Sequence, residues 1–147
     1  MIRKLELSEL DKLSDGAEQF FVEGKIPGKF DIEIFKRNWT FFYEGNFGCI
    51  FILIDENEKV YGAIGCIKVP DLMTATIIAS EMFWYVLNGH RGEGMKLFNA
   101  FEKWAKENGC QSIRMIHLTG LMVDELKSLY LRRGYREVET AYEKEVI

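Results

Sequence analysis

The tightest constraint on the fold is one junction. Residues 81–87, Glu-Met-Phe-Trp-Tyr-Val-Leu, pass through the glycine-bearing loop 88–96 straight into a helix-patterned stretch that ends at 108. The first run is apolar on both faces apart from Glu81 and the Tyr85 hydroxyl, which suits a strand covered above and below, near the middle of a sheet. In the second, Met95, Leu97, Phe98, Phe101, Trp104 and Ala105 fall on one side of a helix while Lys96, Glu102, Lys103 and Lys106 fall elsewhere. Gly109 follows as the usual stop.

The rest of the chain fits around that junction. Residues 2–6 read as a short strand, and Ser8 with Asp11 three residues on reads as a helix start leading toward Val22. Gly24, Pro27 and Gly28 break the chain, and Asp31 offers the next cap. Ile32, Phe35, Trp39, Phe42 and Tyr43 then recur at helical spacing, a stripe that serves core packing, the border of an acceptor pocket, or both. Residues 49–54, the polar turn 55–58 and residues 60–69 form a hairpin closed by Pro70. A strand over 74–87, interrupted near Ser80, precedes the loop. A strand at 112–118, a helix at 124–133 closed by Gly134, and a strand at 136–146 with Val138, Tyr142 and Val146 on one face complete the order. Antiparallel hairpins followed by strand-helix-strand crossovers predict a single mixed α/β sheet with helices on both faces.

At 147 residues the chain fits one domain, and its 48% apolar content with two prolines suits a packed core. The net charge of −4 gives no reason to expect a nucleic-acid partner. The longest apolar runs are far short of the roughly 20 residues that span a bilayer, so the expectation is a cytoplasmic protein with no membrane partner. Cys49, Cys66 and Cys110 show no C-x-x-C spacing and have only two histidines as companions. They read as reduced, mostly buried thiols with no metal, a Cys49/Cys66 cross-strand contact being the alternative.

The loop Asn88-Gly89-His90-Arg91-Gly92-Glu93-Gly94-Met95-Lys96 stands at a helix N-terminus, where backbone N–H groups and the helix dipole favour an anion. Gly92 and Gly94 admit the backbone to a phosphate, Arg91 and Lys96 can add charge, and Glu93 is expected to point outward if the backbone does the binding. G-x-x-G-x-G is not a Rossmann fingerprint, and no Gly-Lys-Ser/Thr follows for a P-loop. Taken alone, the loop also fits a tight turn that merely needs glycine.

Arg91-Gly92-Glu93-Gly94, at a strand-to-helix junction and in this order of elements, resembles the R/Q-x-x-G-x-G/A signature of the GNAT superfamily of N-acyltransferases. The resemblance covers nearly the whole chain in element order and is strongest over 81–135. It implies one domain over 1–147, with a six- to seven-stranded mostly antiparallel sheet, a splayed parallel pair and about four helices. It also implies acetyl-CoA as co-substrate and an amine-bearing acceptor, in a monomer or homodimer. The loop over Arg91, Gly92, Glu93, Gly94, Met95 and Lys96 would hold the coenzyme A pyrophosphate, and the strand around Tyr85, Val86 and Leu87 would offer amides to the pantetheine arm and the oxyanion. Lys96 stands where the family prefers Gly or Ala.

Acyl transfer to an amine needs a proton acceptor, since an amine of pKa about 10.4 is almost wholly protonated at pH 7. Glu81 is the candidate, because burial in an apolar strand raises a carboxyl toward working pH; a solvated or Arg-paired carboxylate and an ordered water remain alternatives. Some GNAT branches are similar in using a Glu at this place. Tyr130 with Gly134-Tyr135 resembles the family segment whose Tyr hydroxyl faces the coenzyme sulfur, although Val123 replaces its usual Asn. His117 has no assigned role. The segment 134–140 is similar to members from tailed phages, which leaves the acceptor open. Lys96, Val123 and the alternatives at Glu81 leave a second expectation: a GNAT-fold protein that binds coenzyme A without catalysis, or a virion-associated one.

Overall fold

The structure is a computed structural model that describes residues 1–119 and 122–147. Two compact units divide the chain, Met1–Ile116 and His117–Ile147.

The first unit holds a sheet of five strands in the order β1-β2-β3-β4-β5. These are β1 (Ile2–Lys4), β2 (Gly48–Ile54), β3 (Val60–Pro70), β4 (Ile77–Val86) and β5 (Ser112–Arg114). β1 through β4 pair antiparallel, and β4 with β5 is the parallel pair. Asp55 makes the β2–β3 turn by accepting the amides of Asn57 (2.8 Å) and Lys59 (2.9 Å).

Period-2 alternation along β2 sends its side chains into two cores. Ile50, Ile52 and Ile54 join Leu10, Leu13, Trp39 and Tyr85 beneath α1 (Ser14–Glu23) and α2 (Ile32–Glu44). Cys49 and Leu53 join Ile64, Leu97, Phe101 and Trp104 beneath α3 (Gly94–Glu107) on the other face. The mixed α/β sheet covered on both faces is therefore as expected. All three cysteines are free, with Cys49 directly opposite Cys66.

Chain termination at the helices follows one rule. α1, α2, α3 and α4 (Val123–Arg132) each end in a residue of left-handed backbone: Lys25 (φ 50°), Asn46 (φ 56°), Gly109 (φ 71°) and Gly134 (φ 86°). In each, the next amide reaches back five residues, as Tyr135 N–H does to the Tyr130 carbonyl at 3.0 Å. The Asp31 cap is as expected, accepting the amides of Glu33 and Ile34.

Four expectations are corrected. The first helix begins not at Ser8 but with a 3-10 helix over Leu7–Leu13, capped by Glu6, whose amide donates to the Glu9 carboxylate at 3.0 Å. The strand expected over 112–118 ends at Arg114, because β4 leaves it after Ser80. No strand is assigned over 136–146, which lies in the second unit, and Val138, Tyr142 and Val146 are exposed. The sheet of the described residues thus has five strands in place of six to seven.

Candidate functional site

The site begins with an irregularity in β4. Gly65 pairs with Phe83 and Cys66 with Glu81, so Met82 is an extra residue, a β-bulge that bends the strand. The parallel ladder with β5 stops at Ser80 and Arg114, just before that bulge. Where the two strands part, the Ile116 amide donates to Glu81 Oε2 at 3.0 Å.

Glu81 is 5% exposed and is the one charged residue in the core of the described residues. Burial pushes its carboxyl up to about 7 from 4.5, against the opposing pull of the Ile116 N–H. A carboxyl held near neutrality beside a parted strand pair can take and release a proton at working pH.

Beyond Glu81 the strand runs through Tyr85, Val86 and Leu87 toward the loop. The Leu87 amide donates to the Tyr61 carbonyl of β3 at 2.8 Å, which removes it from the set of donors expected for a bound arm. Alternation gives Tyr85 the same backbone orientation and turns the Val86 amide to the β5 side. The Tyr85 ring lies in the core against Phe20 and Phe83, and a Cβ on Gly16 would come within 2.5 Å of it. Burial raises its hydroxyl above the usual tyrosine value.

The loop turns at Gly89, whose φ of 90° suits glycine, and closes through a 3-10 turn over Arg91–Glu93 into α3. The Glu93 amide donates to the His90 carbonyl at 2.9 Å and the Gly94 amide to the Arg91 carbonyl, so both serve the turn itself. A Cβ on Gly92 would meet nothing within 4 Å, leaving that backbone open to approach. Gly94 is buried, with Trp84 and Val86 at 3.4 and 3.5 Å from where its Cβ would be; its glycine suits close helix-to-sheet packing. Met95 and Lys96 follow in the first turn of α3.

The charges of the loop are all engaged. Arg91 Nη2 donates to Glu23 Oε2, at the end of α1, at 3.0 Å. Lys96 Nζ donates to Glu93 Oε1 at 2.7 Å, and the Tyr61 hydroxyl donates to the same oxygen at 3.2 Å. Glu93 lies at the surface, its carboxylate held between Lys96 and Tyr61. The Lys96 ammonium holds its carboxyl below the ordinary value. Tyr61 and Glu23 had no signal in the sequence, because their partners lie far along the chain.

In the second unit, Tyr130 is buried in the last turn of α4. The Tyr-x-x-x-Gly-Tyr spacing has a plain physical content there. Gly134 is the left-handed terminator, and Tyr135 packs back on Tyr130 with ring centroids 5.9 Å apart. The His117 ring lies parallel to Tyr130 at 6.4 Å.

Comparison with known proteins follows this geometry. The model of the acetyltransferase (GNAT) family matches residues 10–135. No curated protein matches the chain. Among solved structures, a glucosamine-6-phosphate N-acetyltransferase from Arabidopsis thaliana is similar, with 19% identity, TM-score 0.69, and coverage of 99% of this chain and 97% of that one. A Trypanosoma brucei acetyltransferase (13%, TM-score 0.72, 99% of each chain) is similar too. So is an aminoglycoside acetyltransferase from an uncultured soil metagenomic sample (14%, TM-score 0.73, 100% of this chain and 98% of that one). At these identities the likeness is one of fold.

Proposed function

The chain belongs to the acetyltransferase (GNAT) family and is an acyl-CoA N-acyltransferase, and from that premise we propose that it moves an acetyl group from acetyl-CoA directly to a primary amine. The observation that carries this reading is Glu81: a buried carboxyl with no counter-charge among the described residues, placed where β4 and β5 part and poised near pH 7. Its carboxylate takes a proton from the acceptor's ammonium. The amine nitrogen then attacks the thioester carbon, the C–N bond forms, the C–S bond breaks, and the second proton shed by the nitrogen restores the one that the thiolate takes up. The Val86 amide, turned to the β5 side, supports a role in holding the thioester arm or the oxyanion.

Family resemblance gives Tyr130 the remaining role, donating its hydroxyl proton to the leaving thiolate. The coenzyme diphosphate falls to the turn at 91–96, with the Gly92 backbone open to approach and Arg91 and Lys96 the nearby cations.

Calorimetric titration with acetyl-CoA, followed by a thiol-release screen across polyamines, amino acids, aminoglycosides, peptide N-termini and nucleobase amines, tests this. The expected outcome is saturable binding and thiol release with one amine class. Absence of binding at millimolar acetyl-CoA contradicts it. Binding without release on any amine points to a coenzyme A binder that does not catalyse.

A further inference from the structure

Three contacts tie the loop 87–96 to Tyr61 of β3, and two more brace the loop within itself. The Leu87 amide donates to the Tyr61 carbonyl at 2.8 Å, and the His90 amide turns back to the Leu87 carbonyl at 3.1 Å. The His90 ring lies over the Tyr61 ring with centroids 4.3 Å apart. The Tyr61 hydroxyl donates to Glu93 Oε1, and that oxygen also receives Lys96 Nζ. Tyr61 itself is 8% exposed and packed in the core at the β2–β3 register shift, its carbonyl taken by the Leu87 amide, so it is a fixed point from which the loop hangs.

On the side of the loop facing Tyr61, a cavity of about 410 Å³ is bordered by Asp55, Glu56 and Glu93 beside Tyr61, His90 and Met1, whose terminal ammonium donates to the Ile54 carbonyl. Three carboxylates there outnumber the Met1 and Lys96 ammonium groups, which disfavours a phosphate on that side. The Gly92 backbone, by contrast, meets open space.

Resting on the reading given under Proposed function, we propose that Tyr61 is a positioning residue for the acyl donor's diphosphate. Through Glu93 it holds the 91–96 turn in place and draws the Lys96 ammonium to the side of the helix end. The open backbone of the turn is thereby left to the anion, which is how a lysine is accommodated where the family prefers Gly or Ala.

The test compares ligands with and without the diphosphate. Coenzyme A and inorganic pyrophosphate are titrated calorimetrically, and pantetheine is followed by saturation-transfer NMR, on wild type, Tyr61→Phe and Tyr61→Leu. Tyr61→Phe keeps the ring under His90 and loses only the hydrogen bond, so its melting temperature should stay near wild type. The expected result is about threefold to tenfold weaker binding of coenzyme A and of pyrophosphate, with pantetheine unchanged, and a larger loss in Tyr61→Leu. Equal weakening of all three ligands, or of none, overturns the positioning role while leaving the acetyltransferase reading intact. Failure of wild type to bind coenzyme A overturns that reading first, and the proposal with it.

Discussion

Glu81 and Glu93 stand on the same strand-to-helix passage, and their surroundings drive them in opposite directions. Glu81 is sealed in the core with a single backbone amide for company, and burial lifts its carboxyl to about 7. Glu93 sits at the surface with Lys96, Tyr61 and His90 around it, and its carboxyl is held down. One group is made able to change charge, the other is kept charged to hold its neighbours. Residue type does not separate the two roles; desolvation against charge pairing does.

Breaking the Glu81 side of this contrast should have the largest effect. Glu81→Gln keeps an acceptor for the Ile116 amide but cannot take a proton, so turnover should fall at least about 10²-fold with acetyl-CoA affinity unchanged, as measured by thiol release and calorimetry. Stability gives the next effect. Folded Glu81 binds its proton more tightly than the unfolded carboxyl does, so its protonation favours the fold below about pH 4.5 and that advantage is lost as pH rises to about 7. Denaturant melts of wild type should therefore weaken over this window by on the order of 3 kcal/mol relative to Glu81→Gln. Parallel pH dependence in the two proteins would remove the buried carboxyl from the account.

Tyr130→Phe sharpens the proton-donor half of the proposal. It retains the packing with Tyr135 and should slow turnover about tenfold or more, with little change in coenzyme binding. The smallest effect belongs to the surface charges. Glu23 competes with a bound anion for Arg91 across a partly exposed ion pair, so Glu23→Gln should tighten coenzyme A binding about twofold to fivefold at low salt and not at all at high salt.

How much of this the chain disclosed in advance follows from range. The loop, the hairpins and the helix ends are local patterns: Gly109, Gly134 and the Asp31 cap act within a few residues, and periodicity finds them. Glu81 was legible as an ionisable group inside an apolar strand. Its amide partner Ile116 was not, since the bulge at Met82 and the parting of β4 from β5 depend on register. The turn of Glu93 toward Tyr61, the occupied Leu87 amide and the Glu23–Arg91 pair are contacts between distant segments.

The most direct measurement is the pH dependence of turnover on an amine found in the screen, for wild type and Glu81→Gln. If Glu81 is the base, the wild-type rate rises through a step near pH 7 and levels above it, and the variant loses that step along with most of its rate. The same step at the same height in Glu81→Gln would contradict the assignment.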